Sequence, residues 1–310
     1  MNQGVWIWNS AEVLGSANQI RSLVEGAKGN GMSDLYLYMP PSSYESTTPA
    51  LQNLISSAAA VGLRVWALDG DRAYFDDADG PAMFFLGIEK LIAYNLSVSP
   101  EAQFFGFQAD NEPQDHGSYA SFHNGVTDSA LKTEVGSGKW QATQAQDREM
   151  LMRSWIATYQ TASKLLHAQN LHFGAAMPFW TESYHGGGEV QVNFPDVDSP
   201  RQSVMKHMVP LLDEYVVMSY NTSPSNAASR VAAQAAYVSE LPAASRPRVY
   251  ASMEVSAGVG ESVSYADTPG KNSKAVVLQD METIIAMLSQ YPAFKGVALE
   301  HWSSWQLMPI

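Results

Sequence analysis

The chain has no cysteine, which excludes disulfides, thiol nucleophiles and thiolate metal sites. Charge is sparse as well. Asp, Glu, Lys and Arg make up 16% of the 310 residues and apolar residues 45%, the balance of a chain that folds around a large core. Basic residues are the scarcer sign, 18 against 31 acidic ones, and the resulting net charge of −13 argues against nucleic acid and anionic membranes as partners. A neutral or cationic partner suits it better. No apolar run reaches the roughly 18 residues of a membrane span. Several motifs are missing too: there is no HExxH, no GxSxG elbow and no GxxxxGK[ST] loop. His116, His123 and His185 fall in loop-like stretches without ligand spacing, so neither a metal nor a cofactor is expected. No charged leader with an apolar stretch precedes Val5–Trp8. The expectation is a chain that is secreted or periplasmic if a leader was removed and cytoplasmic otherwise.

What the chain does have is alternation. Short β-rich runs occur at Gly4–Trp8, Asp34–Met39, Arg64–Leu68, Phe104–Asp110, His172–Met177, Tyr215–Tyr220, Val249–Glu254 and Gly296–Trp302. They are continuously apolar, as parallel strands covered on both faces are. Helical periodicity fills the gaps. Ala145–Gln169 sets Trp155, Tyr159, Ala162 and Leu166 at three- and four-residue steps, and Ser225–Leu241 and Val276–Tyr291 repeat the pattern. Eight strand–helix units predict an α/β fold, a single (β/α)8 TIM barrel over residues 1–310. Two connections are longer than a barrel needs, Pro113 to Gln144 after the fourth strand and Trp180 to Pro200 after the fifth. Long loops on that face commonly shape a cleft.

The densest chemistry lies in Phe104-Phe105-Gly106-Phe107-Gln108-Ala109-Asp110-Asn111-Glu112-Pro113. Alternate strand residues share a face, so Asp110 and Glu112 point the same way, and Pro113 ends the strand at the C-terminal rim. Active sites of (β/α)8 barrels are built on that rim. Other strand ends add Trp8, Asp71, Trp180, Tyr220, Asn221, Glu254, Glu300 and Trp302. Carboxylates can protonate a glycosidic oxygen and stabilise an oxocarbenium ion, and indoles stack on sugar faces. A carbohydrate substrate is therefore expected, with amino sugars as one cationic class. Glu112 is the candidate general acid, although a strand-end Glu can also cap a helix or pair with Arg72 or Arg148. Glu254 is the candidate second carboxylate, with a buried ion pair as its alternative. Asp110 would tune Glu112 through like charge. Trp8, Trp180 and Trp302 are candidate sugar platforms, and Asp71, Asn221 and Glu300 further candidate sugar contacts.

At these residues the chain resembles retaining glycoside hydrolases in two ways. Asn111-Glu112-Pro113 after a strand looks like the fourth-strand signature of clan A, and Glu254 falls on the seventh strand, where that clan carries its nucleophile. This resemblance implies Glu112 as acid/base, Asn111 as a contact to the sugar 2-OH and Glu254 as nucleophile. Gly106 to Glu112 also looks like the end of the fourth-strand motif of family 18 chitinases. Met218-Ser219-Tyr220-Asn221 is similar to that family's sixth-strand motif, and Trp302 sits where its floor tryptophan would. By that likeness Glu112 is the acid, while Asp110 and Tyr220 position a substrate N-acetyl group that acts as nucleophile. Phe105 and Gln108 stand where that motif has further aspartates, and its second-strand Ser-x-Gly-Gly is missing from Leu35–Ser42. The expected activity is hydrolysis of a polysaccharide or oligosaccharide by carboxylate acid/base catalysis with retention. The alternatives are a substrate-assisted hydrolase of N-acetylated or amino-sugar polymers and a barrel that binds carbohydrate without cleaving it.

Overall fold

The computed structural model describes residues 2–71, 74, 80–112, 145–182, 184–185, 188–194 and 200–310. Eight parallel strands close a ring: β1 (Asn2–Ile7), β2 (Asp34–Tyr38), β3 (Arg64–Asp69), β4 (Gly106–Ala109), β5 (His172–Pro178), β6 (Glu214–Met218), β7 (Arg248–Glu254) and β8 (Phe294–Glu300). Each strand pairs with its neighbour in sequence, and β8 returns to β1 through Asn2 opposite Gly296 and Gly4 opposite Ala298. The expected (β/α)8 barrel is the fold observed.

Helices α1 (Ala17–Gly29), α2 (Ser43–Ala60), α3 (Gly80–Ser97), α4 (Ala145–His167), α5 (Val204–Met208), α6 (Pro224–Glu240), α7 (Lys274–Leu288) and α8 (Trp302–Leu307) belong to the outer layer. Their starts are written locally. The Ser16 hydroxyl accepts the Gln19 N–H, the Ser273 hydroxyl accepts the Val276 N–H, and Pro224 opens α6, where a missing N–H costs nothing. The anticipated stripe of α4 is buried at Trp155, Tyr159, Ala162 and Leu166. Among the described residues no helix is long and apolar enough to cross a membrane.

The strands divide their side chains by parity. Odd residues such as Val5, Leu35, Val65, Phe107, Phe173, Val217, Met253 and Val297 join the core between strands and helices. Even residues such as Trp6, Tyr36, Trp66, Ala176, Val216, Tyr250 and Ala298 fill the barrel interior. The registers explain this, because Trp6 lies opposite Tyr36, Tyr36 opposite Trp66 and Tyr250 opposite Gly296, so one period-2 face runs around the ring.

The strand starts close the lower end. Arg64 clasps Asp34 with two hydrogen bonds of 2.7 and 2.6 Å, and the Trp66 indole donates to the same carboxylate at 2.8 Å. Tyr36 donates to Glu214, which faces Arg248 at 3.2 Å. Phe105 stacks on His172 with 4.4 Å between ring centres, below this network. With that end plugged, the strand ends at the other, C-terminal mouth are left to build a site.

Among the strand boundaries that depart from the sequence reading, three bear on the ends of the barrel. β4 begins at Gly106, because Phe104 belongs to the outer core and Phe105 to the floor plug. β6 stops at Met218, and β8 stops at Glu300, so Trp302 opens a helix instead of ending a strand. The connection after β5 carries two short antiparallel pairs, Tyr184–His185 with Gly188–Glu189 and Gln191–Val192 with Gln202–Ser203. The connection after β4, residues 113–144, lies outside the described residues.

Candidate active site

Asp110 follows β4 directly and keeps its register, with its N–H donating to the Asp69 carbonyl at 3.1 Å. Gly70 permits this approach, since a Cβ there would lie 2.0 Å from the Asp110 carbonyl oxygen. Parity then carries Asp110 and Glu112 onto the interior face. Tyr220, Glu254 and Glu300 share that parity at the ends of β6, β7 and β8, and Glu254 and Glu300 are direct register partners. Four carboxylates and a phenol therefore face one mouth.

Their electrostatics show that they sense one another. Burial pushes the Asp110 carboxyl well above the usual range, and the Glu112 charge pushes it further. Its Oδ1 is buried and has no hydrogen-bond partner among the described residues. Glu300 is raised well above its ordinary value by burial, then by Asp110 and Glu254, while the Trp8 indole N–H, 2.6 Å from its Oε1, pulls the other way. Burial also raises Glu254, against hydrogen bonds from Ser256, whose N–H lies 2.7 Å from Oε1. The Tyr220 hydroxyl is pushed well up by burial and then by Glu300, Asp110, Glu254 and Glu112. Asp110, Glu254 and Glu300 thus hold their protons to higher pH than isolated carboxyls do. Glu254 differs from Glu300 in accepting backbone N–H donors, which oppose the rise.

Other expected residues fall elsewhere. Asn111 has the wrong parity: it is 2% exposed, and its Oδ1 accepts the Tyr159 hydroxyl of α4 at 3.2 Å, so its side chain is turned away from the mouth towards the helix layer. Trp302 is 3% exposed and packs on α1, where a Cβ on Gly26 would lie 2.9 Å from its ring. Trp180 is buried on the short turn Phe179–Glu182. Neither indole offers a face to a sugar, and both are corrected from platform to core. The Asn221 carboxamide oxygen accepts the Ser223 N–H at 2.9 Å, a local turn that leads into α6. Asp71 is exposed beyond β3. Trp8 alone of the three tryptophans keeps an accessible position, half-buried beside Tyr38 with 5.4 Å between ring centres. Arg72, His116 and His123 lie outside the described residues.

Sequence reasoning passed over Tyr38 and Ser256 and ranked Glu300 as a sugar contact only. Parity was the available signal, since Tyr38 and Glu300 are both even-numbered. Asp69, also at a strand end, is odd and faces α3; the Tyr74 hydroxyl at 2.7 Å and the Gly70 N–H at 2.9 Å hold it, and burial pushes it up to about 6. Among the described residues no group of three or more His, Asp or Glu is arranged to hold a metal ion.

Fold and site together define a (β/α)8 barrel with a carboxylate-lined C-terminal mouth. The sequence matches no protein-family model and no curated protein. Solved structures similar to it include glycoside hydrolases on this barrel. A chitinase from Chromobacterium violaceum is 11% identical over 99% of this chain and 96% of its own, with a TM-score of 0.48. A modular endo-beta-1,4-mannanase from Cellulomonas fimi is 12% identical over 90% of this chain and 59% of its own, with a TM-score of 0.49. A D-psicose 3-epimerase from Clostridium cellulolyticum is 10% identical over 97% and 85%, with a TM-score of 0.45. Barrels host many chemistries, so the activity is argued from the mouth's own residues.

Proposed function

We propose that the chain is a glycoside hydrolase, with Glu112 as general acid/base and Glu254 as nucleophile. The observation that carries this reading is the shared mouth of Asp110, Glu112, Glu254 and Glu300, in which burial and like charge raise Asp110 and Glu300 and hydrogen bonds from Ser256 oppose the rise at Glu254. In the first step Glu112 gives its proton to the glycosidic oxygen as the bond from that oxygen to C1 breaks. A Glu254 oxygen bonds to C1, forming a glycosyl ester. In the second step Glu112 takes a proton from water, the water oxygen bonds to C1, and Glu254 leaves as a carboxylate. Trp8 and Tyr38 supply the aromatic surface beside the reacting sugar, and Tyr220 lies among the acids as a hydroxyl donor.

The test is reducing-end release from a panel of neutral and aminated polysaccharides. Glu112→Gln is expected to lower turnover by roughly 10²–10⁴-fold, the weight of a general acid. Turnover equal to the parent's would remove Glu112 from this role. Proton NMR of the first product should show the substrate's own anomeric configuration; an inverted product would end Glu254's assignment as nucleophile.

One observation favours a second reading. Asp110 faces the mouth with an unpartnered Oδ1, and its charge is among those that raise Tyr220. On an N-acetylated sugar those two residues would position the substrate's own acetamide as nucleophile. Glu254→Gln separates the readings: activity confined to N-acetylated substrates and surviving that substitution supports the second, and its loss there supports the first.

A further inference from the structure

The connection from β7 to α7 starts at Glu254, and Ser264 and Asp267 turn their side chains onto its backbone. At its root, the Ser256 N–H holds Glu254 Oε1, and the Ser256 carbonyl accepts the Ser264 hydroxyl. Ser264 is fully buried and lies beside Glu254 in a single parallel β-bridge; its oxygen also accepts the Ala266 N–H at 3.1 Å. Tyr265 follows, with its N–H donating to the Glu254 carbonyl at 2.9 Å and its hydroxyl to Asp280 of α7 at 3.1 Å. At the tip, the Asp267 carboxylate accepts three consecutive N–H groups, from Gly258 at 3.0 Å, Val259 at 2.8 Å and Gly260 at 2.7 Å. Gly258 and Gly260 have φ of +86° and +123°, a path that aims the three donors at one carboxylate and that other residues rarely follow. The loop also reaches sideways. The Val255 N–H donates to the Glu300 carbonyl at 2.7 Å, and the Ser262 carbonyl accepts the Thr222 N–H at 2.9 Å, two residues after Tyr220. One set of backbone bonds thus spans the strand ends that carry Tyr220, Glu254 and Glu300.

We propose that this loop is a clamp for the Glu254 carboxylate, in which Ser264 and Asp267 are positioning residues: Ser264 fixes Ser256, and Asp267 fixes the turn beyond it. The proposal rests on the reading of Glu254 as nucleophile above. Position matters to such a group, because misplacing it by about 1 Å can cost roughly 100-fold in rate. The titratable groups that interact with Glu254 are Asp267 in the loop, Glu300 on β8 and Tyr220 beyond β6. Burial raises Glu254 most, the Ser256 hydrogen bonds lower it, and the Asp267 charge raises it. Loosening Ser256 and removing the Asp267 charge therefore act on Glu254 with opposite signs.

Carbon NMR of the glutamate carboxyls reads the clamp without turnover, with the Glu254 signal identified by its loss in Glu254→Gln. Ser264→Ala releases Ser256 and is expected to raise the Glu254 midpoint by about 0.5 pH unit or more. Asp267→Asn and Asp267→Ala remove the same charge, and only the first keeps an oxygen for the turn. The midpoint is expected to be lower in Asp267→Asn than in the parent, and higher in Asp267→Ala than in Asp267→Asn. A general loss of stability does not produce that order. On a polysaccharide the parent cleaves, Ser264→Ala should lower kcat roughly 10-fold or more and leave KM within about twofold. Equal midpoints in the two Asp267 variants, with Ser264→Ala matching the parent, overturn the clamp even if the parent hydrolyses polysaccharide. The expected order of midpoints in a chain that cleaves nothing keeps the clamp and removes Glu254 as nucleophile. If Ser264→Ala does not fold, the two Asp267 variants, altered at the surface, decide alone.

Discussion

Asp110 and Asn111 are neighbours in the chain and lie on opposite sides of the barrel wall. Asp110 faces the other acids, and Asn111 accepts the Tyr159 hydroxyl among buried side chains. Removing the Asn111 side chain should therefore act on stability more than on chemistry. Asn111→Ala is expected to cost about 1 kcal/mol, the net worth of a buried hydrogen bond plus its orphaned partner, with kcat/KM within about twofold of the parent. Thermal melts and steady-state kinetics check this, and a large kcat loss with an unshifted melt would return Asn111 to the mouth. The same parity explains which site residues could be read from the sequence. Asp110 and Glu112 were legible because alternate strand residues share a face, and Glu254 because it ends an apolar run. Trp302 was misplaced since nothing in Ala298-Leu299-Glu300-His301-Trp302 marks the strand's stop at Glu300. Trp180 was misplaced because a tryptophan just past a strand can turn inward or outward, and neighbours distant in sequence decide which.

At the scale of elements, the barrel is held from below by charges that strand register brings together. Asp34 pairs in register with Arg64, and Glu214 with Arg248. Burial and the Asp34 charge push Glu214 up to about 7, against the pull of Arg248. A carboxyl with a raised folded pKa holds its proton more tightly in the folded state than in the unfolded one. Stability then falls as pH rises from the unfolded value, about 4.3, to the folded one, and flattens above it. Glu214→Gln, which keeps an acceptor for Tyr36, is expected to remove part of that fall. Melting temperatures across pH 4 to 8 would show the difference as a shallower slope below about pH 7. An identical slope in both chains would mean that Asp69, Asp110, Glu254 and Glu300, all raised by burial, carry the effect. The barrel itself was legible because it rests on local signals, eight apolar runs between helical stripes. This ion network was not, because Asp34, Arg64, Glu214 and Arg248 look like ordinary flanks until closure sets them side by side.

At the scale of the whole molecule, charge acts at two ranges. The formal net charge of −13 gives the molecule a negative field that attracts cations from a distance, while the acids at the mouth act only on what has arrived. On the carbohydrate reading proposed above, both terms would favour an aminated sugar over its N-acetylated twin, which has nearly the same shape and no charge. Salt separates this preference from fit. Screening shortens the reach of surface charge from about 10 Å at 0.1 M to about 3 Å at 1 M, leaving hydrogen bonds and stacking almost untouched. Raising the salt should therefore lower kcat/KM several-fold for glucosamine oligomers and leave N-acetylglucosamine oligomers of the same length within about twofold. Paired kinetics at low and high salt would measure it. Parallel, flat responses would show that the acidic surface is only solvated, that the mouth's carboxyls meet the substrate largely protonated, and that shape rather than charge selects the sugar.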